Sequence, residues 1–124
     1  MKIEGKKIIN YIHGGGNNMY QVVKRDEKVV DFNLSKISDA IRKAFEAVNV
    51  EYNDDVIDLL SLKVTADYSA KIKDGKITVE EIQDSVESVL QRTGYEEVAK
   101  AYILYRKNRE KIRAMKSAAL NYKE

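Results

Sequence analysis

The sequence predicts an α+β fold, mainly α: a four-helix bundle capped by a small β-hairpin or three-stranded sheet. Three observations lead there. Apolar residues recur at helical spacing in four separate stretches. Ahead of them, YQVVKR (20–25) and KVVDF (28–32) gather β-branched and aromatic residues on either side of Asp26 and Glu27, the pattern of a hairpin. Proline is absent from all 124 residues, so no ring interrupts a helix.

The elements follow in order. Glu27 stands where a tight primed turn would place glycine, so a type I or longer turn is expected between the two strands. Asn33 reads as an N-cap, with Phe32 and Ile37 at staple spacing. Helix one is expected over about 34–48, its stripe being Ile37, Ala40, Ile41, Ala44, Phe45 and Val48. Asn53 caps helix two, about 54–72, with Val56, Leu59, Leu60, Val64, Tyr68 and Ile72 inward. KDGK (73–76) is a turn in which Gly75 is free to take positive φ. Thr78 and Glu81 form a capping box, and Ile77 and Ile82 a staple, for helix three over about 79–92. Its inward residues are Val79, Ile82, Val86, Val89 and Leu90, and Gly94 ends it. Helix four starts near Tyr95, with Glu96 and Glu97 at its positive end. Val98, Ala101, Tyr102, Tyr105 and Ile112 make its apolar side, while RKNREKIRAMK reads as a solvated basic face or as a connection to a further part.

Organisation and exclusions come from the whole chain. Its length suits one domain with one core, placed at 19–113, with 114–124 as a tail of the last helix. Residues 1–18 read either as a leader of vector or fusion origin, with Met19 as the original start, or as a genuine segment in which KKIINYI adds a strand before the GGGNN break. With 44% apolar and 34% charged residues the composition is that of a soluble globular protein. The absence of cysteine excludes disulfides, thiolate metal sites and cysteine nucleophiles. The single histidine, His13, has no nucleophile motif beside it, and no catalytic or metal-ligating set stands out. No apolar run approaches the ~20 residues of a membrane span, so the default expectation is the cytoplasm.

The adjacent cations Lys24 and Arg25 are the first anomaly. A polar hairpin tip that keeps a sheet edge soluble is one explanation. Lys36 is the second: it falls in the first turn of helix one, where the positive helix end favours acids. An anion at that helix start, held by backbone N–H groups and by lysine, makes sense of it. The hairpin joins directly to this helix start, so Lys24, Arg25, Asn33 and Lys36 are positioned to surround one polyphosphate. The sequence has no GxGxxG, and GGGNN lacks the GK[ST] ending of a phosphate-binding loop. Any phosphate site is therefore built from side chains and one helix end.

VVKRDEKVVDFNLSKISDAIRKAF (22–45) resembles the opening of an ATP-cone domain, and ITVEEIQDSVESVL and VAKAYILYRKNR resemble that family's later helices. The likeness covers about residues 20–110. It implies reversible binding of ATP or dATP as allosteric effectors; Mg2+ is expected to accompany the triphosphate, because several cations still leave charge unmatched. It also implies a regulatory place in a ribonucleotide reductase. The tail AYILYRKNREKIR is most similar to the anaerobic ribonucleoside-triphosphate reductases. By resemblance, Val22, Lys24 and Arg25 match a strand touching base and phosphates, and Asn33 and Lys36 match helix-start contacts. Val79 and Gln83 match positions where some relatives carry threonine and histidine, and Lys107 matches a further phosphate lysine. Each has a plainer reading: core for Val79, a solvated helix residue for Gln83, an exposed cation for Lys107. Glu27 in the turn and Val30, where some relatives have an acid, depart from the pattern. The implied partners are adenine nucleotides and the rest of a reductase or a second copy of the chain, with no membrane. The competing readings are a nucleic-acid module using the basic tail, against which the aromatics do not interleave with that tail, and a protein-interaction domain.

Overall fold

The computed structural model describes residues 20–122, so KKIINYI and GGGNN lie outside the described residues. Strands β1 (Gln21–Val23) and β2 (Val29–Asp31) form the expected hairpin, antiparallel with Val22 opposite Val30. Its turn is closed by the Glu27 N–H donating to the Lys24 carbonyl at 2.9 Å and the Lys24 N–H to the Lys28 carbonyl at 2.8 Å. Glu27 takes φ 68°, the left-handed conformation that glycine would adopt without strain. The longer turn expected from the missing glycine is present.

Helices α1 (Leu34–Ala47), α2 (Asp54–Tyr68), α3 (Val79–Arg92) and α4 (Glu96–Tyr122) make the bundle. Their starts are set by side chains named from the sequence. The Asn33 side chain accepts from the Ser35 amide at 3.0 Å and the Asn53 side chain from the Val56 amide at 2.9 Å. Thr78 and Glu81 close a full capping box. Gly94, at φ 90°, turns the chain from α3 into α4.

Several details differ from expectation: on the side of α4 expected to be apolar, Tyr105 is 38% and Ile112 49% exposed, because little packs over the outer half of that helix. Helix α2 stops at Tyr68, and Ser69–Lys71 continue as a 3-10 turn instead of α-helix to 72. Its buried face is Ile57, Leu60, Ser61, Val64 and Tyr68, while Leu59 is 54% exposed. The buried Ser61 broke the apolar stripe in sequence; its hydroxyl donates to the Ile57 carbonyl at 2.8 Å and meets the Ser38 hydroxyl at 2.8 Å. The third strand is β3 (Lys76–Thr78), parallel to β1, in sheet order β2-β1-β3. Ile77 is thus buried in a strand as well as placed before α3.

The core runs between the sheet and the bundle, with Ile41, Phe45, Ile57, Val64, Tyr68 and Leu90 fully buried. Phe45 stacks edge-on with Tyr95 at 5.1 Å between ring centroids, tying the end of α1 to the residue before α4. The start of α1 therefore lies beside the middle of α4. Arg106 bonds Asp84 at 2.9 Å and Glu87 at 2.5 Å, setting α3 antiparallel to α4. Burial works against the Arg106 charge, but the hydrogen bonds it donates to Glu87 and Asp84 outweigh this and raise its pKa. These contacts bring the hairpin, the starts of α1 and α3, and residues 102–113 of α4 to one end of the molecule.

Candidate functional site

At that end lies a cleft of about 270 Å³. Its inner wall is apolar: Val22, Ile37, Ala40, Val79, Ile82, Val86 and Tyr102. Burial pushes the Tyr102 hydroxyl above the ordinary tyrosine range, so the ring remains neutral. Its rim is cationic: Lys24, Arg25, Lys36, Arg109 and Arg113, against one carboxylate, Asp31. Among the described residues Lys24, Lys36, Arg109 and Arg113 have no ion-pair partner. Like charges gathered without counter-charges repel each other, which is a cost unless an anion joins them.

The start of α1 adds to this field. Its first turn holds no acid, although all three of the other helices carry two acids there. Asn33 lines the cleft, with its side-chain oxygen on the Ser35 amide and hydroxyl, at 3.0 and 2.6 Å. Lys36 follows one turn on and also lines the cleft. The α1 dipole and the lysine therefore act on the same space.

Seven of the eight residues singled out from the sequence border this cleft: Val22, Lys24, Arg25, Asn33, Lys36, Val79 and Gln83. Val79 serves both readings, since it packs on the core and faces the cleft. Gln83 is half-buried, and its side-chain oxygen accepts from Arg25 at 3.3 Å. Lys107 is exposed and is not among the lining residues. Arg109 and Arg113 occupy the cleft-facing side of α4 in its place. They were readable: counting on from Tyr102 and Tyr105 by 3.6 residues reaches 109 and 113. The basic composition of that stretch suggested a wholly solvated face instead. The Arg109 guanidinium lies 5.9 Å from the Tyr105 ring centroid, a cation–π contact at the rim.

A second hollow, of about 470 Å³, lies between α2 and α3 at Lys63, Asp67, Arg92 and Thr93. Its Arg92 is bonded to Asp67 at 2.7 Å, so among the described residues Lys63 is its one lining cation outside an ion pair, against four at the first cleft.

Fold and cleft together define a small α+β domain with an apolar recess behind a cationic mouth. Residues 20–111 match the ATP cone domain, and the chain belongs to that family. It is 38% identical over 83% of its length to the ribonucleoside-diphosphate reductase subunit alpha of Chlamydia pneumoniae, covering 10% of that protein. It is 42% identical over 77% of its length to the vitamin B12-dependent ribonucleoside-diphosphate reductase of Thermoplasma acidophilum, covering 13% of it. The anaerobic ribonucleoside-triphosphate reductase of Haemophilus influenzae is 34% identical over 79% of the chain, which spans 14% of that enzyme. Similarity thus extends across three kinds of reductase and does not single out the anaerobic one. Among the described residues no helix is long and apolar enough to cross a membrane.

Proposed function

We propose that this chain is an allosteric domain that takes ATP or dATP into the hairpin cleft and reports its occupancy to a ribonucleotide reductase. The observation that carries this reading is the set of four cations without ion-pair partners around an apolar recess of nucleotide-compatible chemistry. The base lies against Val22, Val79, Ile82 and Tyr102; the triphosphate meets Lys24, Arg25, Lys36, Arg109 and Arg113. Arginine forks onto two phosphate oxygens, and lysine adds a point charge. The α1 start adds the positive end of its dipole to the same space.

Magnesium travels with the nucleotide in this reading. Among the described residues no group of three His, Cys, Asp or Glu side chains could hold a metal ion by itself. The phosphates are then its main ligands, as is common for Mg2+.

ATP and dATP differ at the ribose 2′-hydroxyl, and a switch requires the two to favour different states of the protein. Gln83 is the polar side chain nearest to that task on α3, and its bond to Arg25 links it to the hairpin. The readout is a changed contact with the reductase or with a second copy of this chain. Family membership and the reductase relatives support this assignment.

Calorimetry tests the binding step. ATP and dATP are expected to bind, and Lys24→Ala/Arg25→Ala to weaken binding by at least about tenfold, since charge-assisted contacts each contribute ~1.5–3 kcal/mol. Unchanged affinity in the double variant would refute this site. Salt-sensitive DNA binding without nucleotide binding would favour a nucleic-acid module instead.

A further inference from the structure

Arg25 differs from the other cations of the cleft mouth. Its Nη1 lies 3.1 Å from Glu80 Oε2, at the start of α3, and its Nη2 lies 3.0 Å from Glu110 Oε1, on α4. The same Nη2 donates to Gln83 Oε1 at 3.3 Å. One guanidinium therefore bridges the hairpin to two helices, and its side chain is only 26% exposed. Glu80 and Glu110 are not among the residues that line the cleft. They reach Arg25 from behind its rim.

We infer that Glu80 and Glu110 are positioning residues that compete with the ligand's phosphates for Arg25, and so set the affinity of the cleft. The inference rests on the proposed placement of a polyphosphate at Arg25. A guanidinium offers five N–H donors, and three acceptors already occupy part of that fork. To fork onto a phosphate, Arg25 must give up at least one of the two carboxylates. The half-exposed state of Glu80 and Glu110, at 42% and 49%, makes each bond weak enough to exchange. The exchange has a mechanical side. Among the described residues, Arg25–Glu110 is the ion pair that ties the hairpin to α4, so a ligand that draws Arg25 inward loosens that tie.

The test is a double-mutant cycle on the full chain with inorganic tripolyphosphate as probe, which removes base recognition from the measurement. Glu80→Gln/Glu110→Gln keeps side-chain size and one hydrogen-bond acceptor but removes the charges. It is expected to bind tripolyphosphate about two- to fivefold more tightly than the parent, the range an exposed ion pair permits. In an Arg25→Ala background the same change is expected to give a clearly smaller gain. An equal gain in both backgrounds would mean a general field effect and overturn the inference, as would no gain at all. If the parent fails to bind tripolyphosphate, the functional reading falls and this inference with it. If the parent binds and Arg25→Ala weakens binding but the glutamine pair changes nothing, only this inference falls. A ligand-free readout stands beside the titration: hydrogen exchange at the Lys24 and Glu27 amides, which close the hairpin turn. Faster exchange there in the glutamine pair supports the hold of the two carboxylates on Arg25; unchanged exchange overturns it.

Discussion

Lys24, Lys36, Arg109 and Arg113 carry the argument at the residue scale. Two of them were legible because they violate a local rule. Lys24 sits beside Arg25 with no counter-charge between them, and Lys36 opposes the dipole of its own helix. The two arginines break no rule. Within RKNREKIRAMK any cation looks solvated by composition, and helical counting from Tyr102 is what separates the cleft-facing pair from Lys107. This gives a sharp prediction. In calorimetric titrations with ATP, Arg109→Ala/Arg113→Ala should weaken binding roughly tenfold or more, while Lys107→Ala should change it by less than about threefold, as befits an exposed charge outside the cleft. Equal losses from both variants would restore the sequence-level assignment of Lys107.

At the scale of elements, caps and turns were the readable features. Asn33, Asn53, Thr78 with Glu81, and Gly94 all act where their local chemistry placed them, because a cap depends on neighbours within four residues. The parallel pairing of β3 with β1 was not readable: it joins Val22 to Ile77 across the whole of α1 and α2. Nor was the rotation of α2, since Ser61 is buried by virtue of partners on two elements. Two stability changes follow. Thr78→Ala removes half of the capping box and should cost ~1 kcal/mol in urea denaturation. Glu27→Gly relieves a left-handed residue at φ 68° and should stabilise the protein by roughly 0.5–1 kcal/mol. A destabilising Glu27→Gly would mean that the glutamate side chain contributes more than its backbone costs.

Across the whole molecule, the sheet is fastened to the bundle by an aromatic group: Tyr20, Phe32 and Tyr68, with centroids 4.7 to 6.1 Å apart. Tyr20 and Tyr68 also share a hydrogen bond between their hydroxyls. Burial pushes the Tyr68 hydroxyl up to about 12, from 10.0. Below pH 10 the folded and unfolded states both keep this proton. Between 10 and about 12 only the unfolded chain releases it, so stability falls as pH rises through that window. Urea denaturation should therefore show a loss on the order of 2 kcal/mol by about pH 12 from this group, and Tyr68→Phe should lessen the slope while the shares of Tyr20 and Tyr102, also raised by burial, remain. A slope unchanged in Tyr68→Phe would assign the loss to other groups.

The same fastening matters for function, because the hairpin it anchors forms one wall of the cleft. The hairpin, α1, α3 and α4 each contribute a side to that space, and only their assembly brings Lys24, Lys36 and Arg113 together. In the proposed function this assembled corner receives a triphosphate. A crystal structure grown with dATP and magnesium tests it most directly. The account predicts phosphate oxygens within hydrogen-bond distance of Lys24, Arg25 and Lys36, with the base against Val22 and Tyr102. Nucleotide bound elsewhere, with that corner left to solvent, would contradict it.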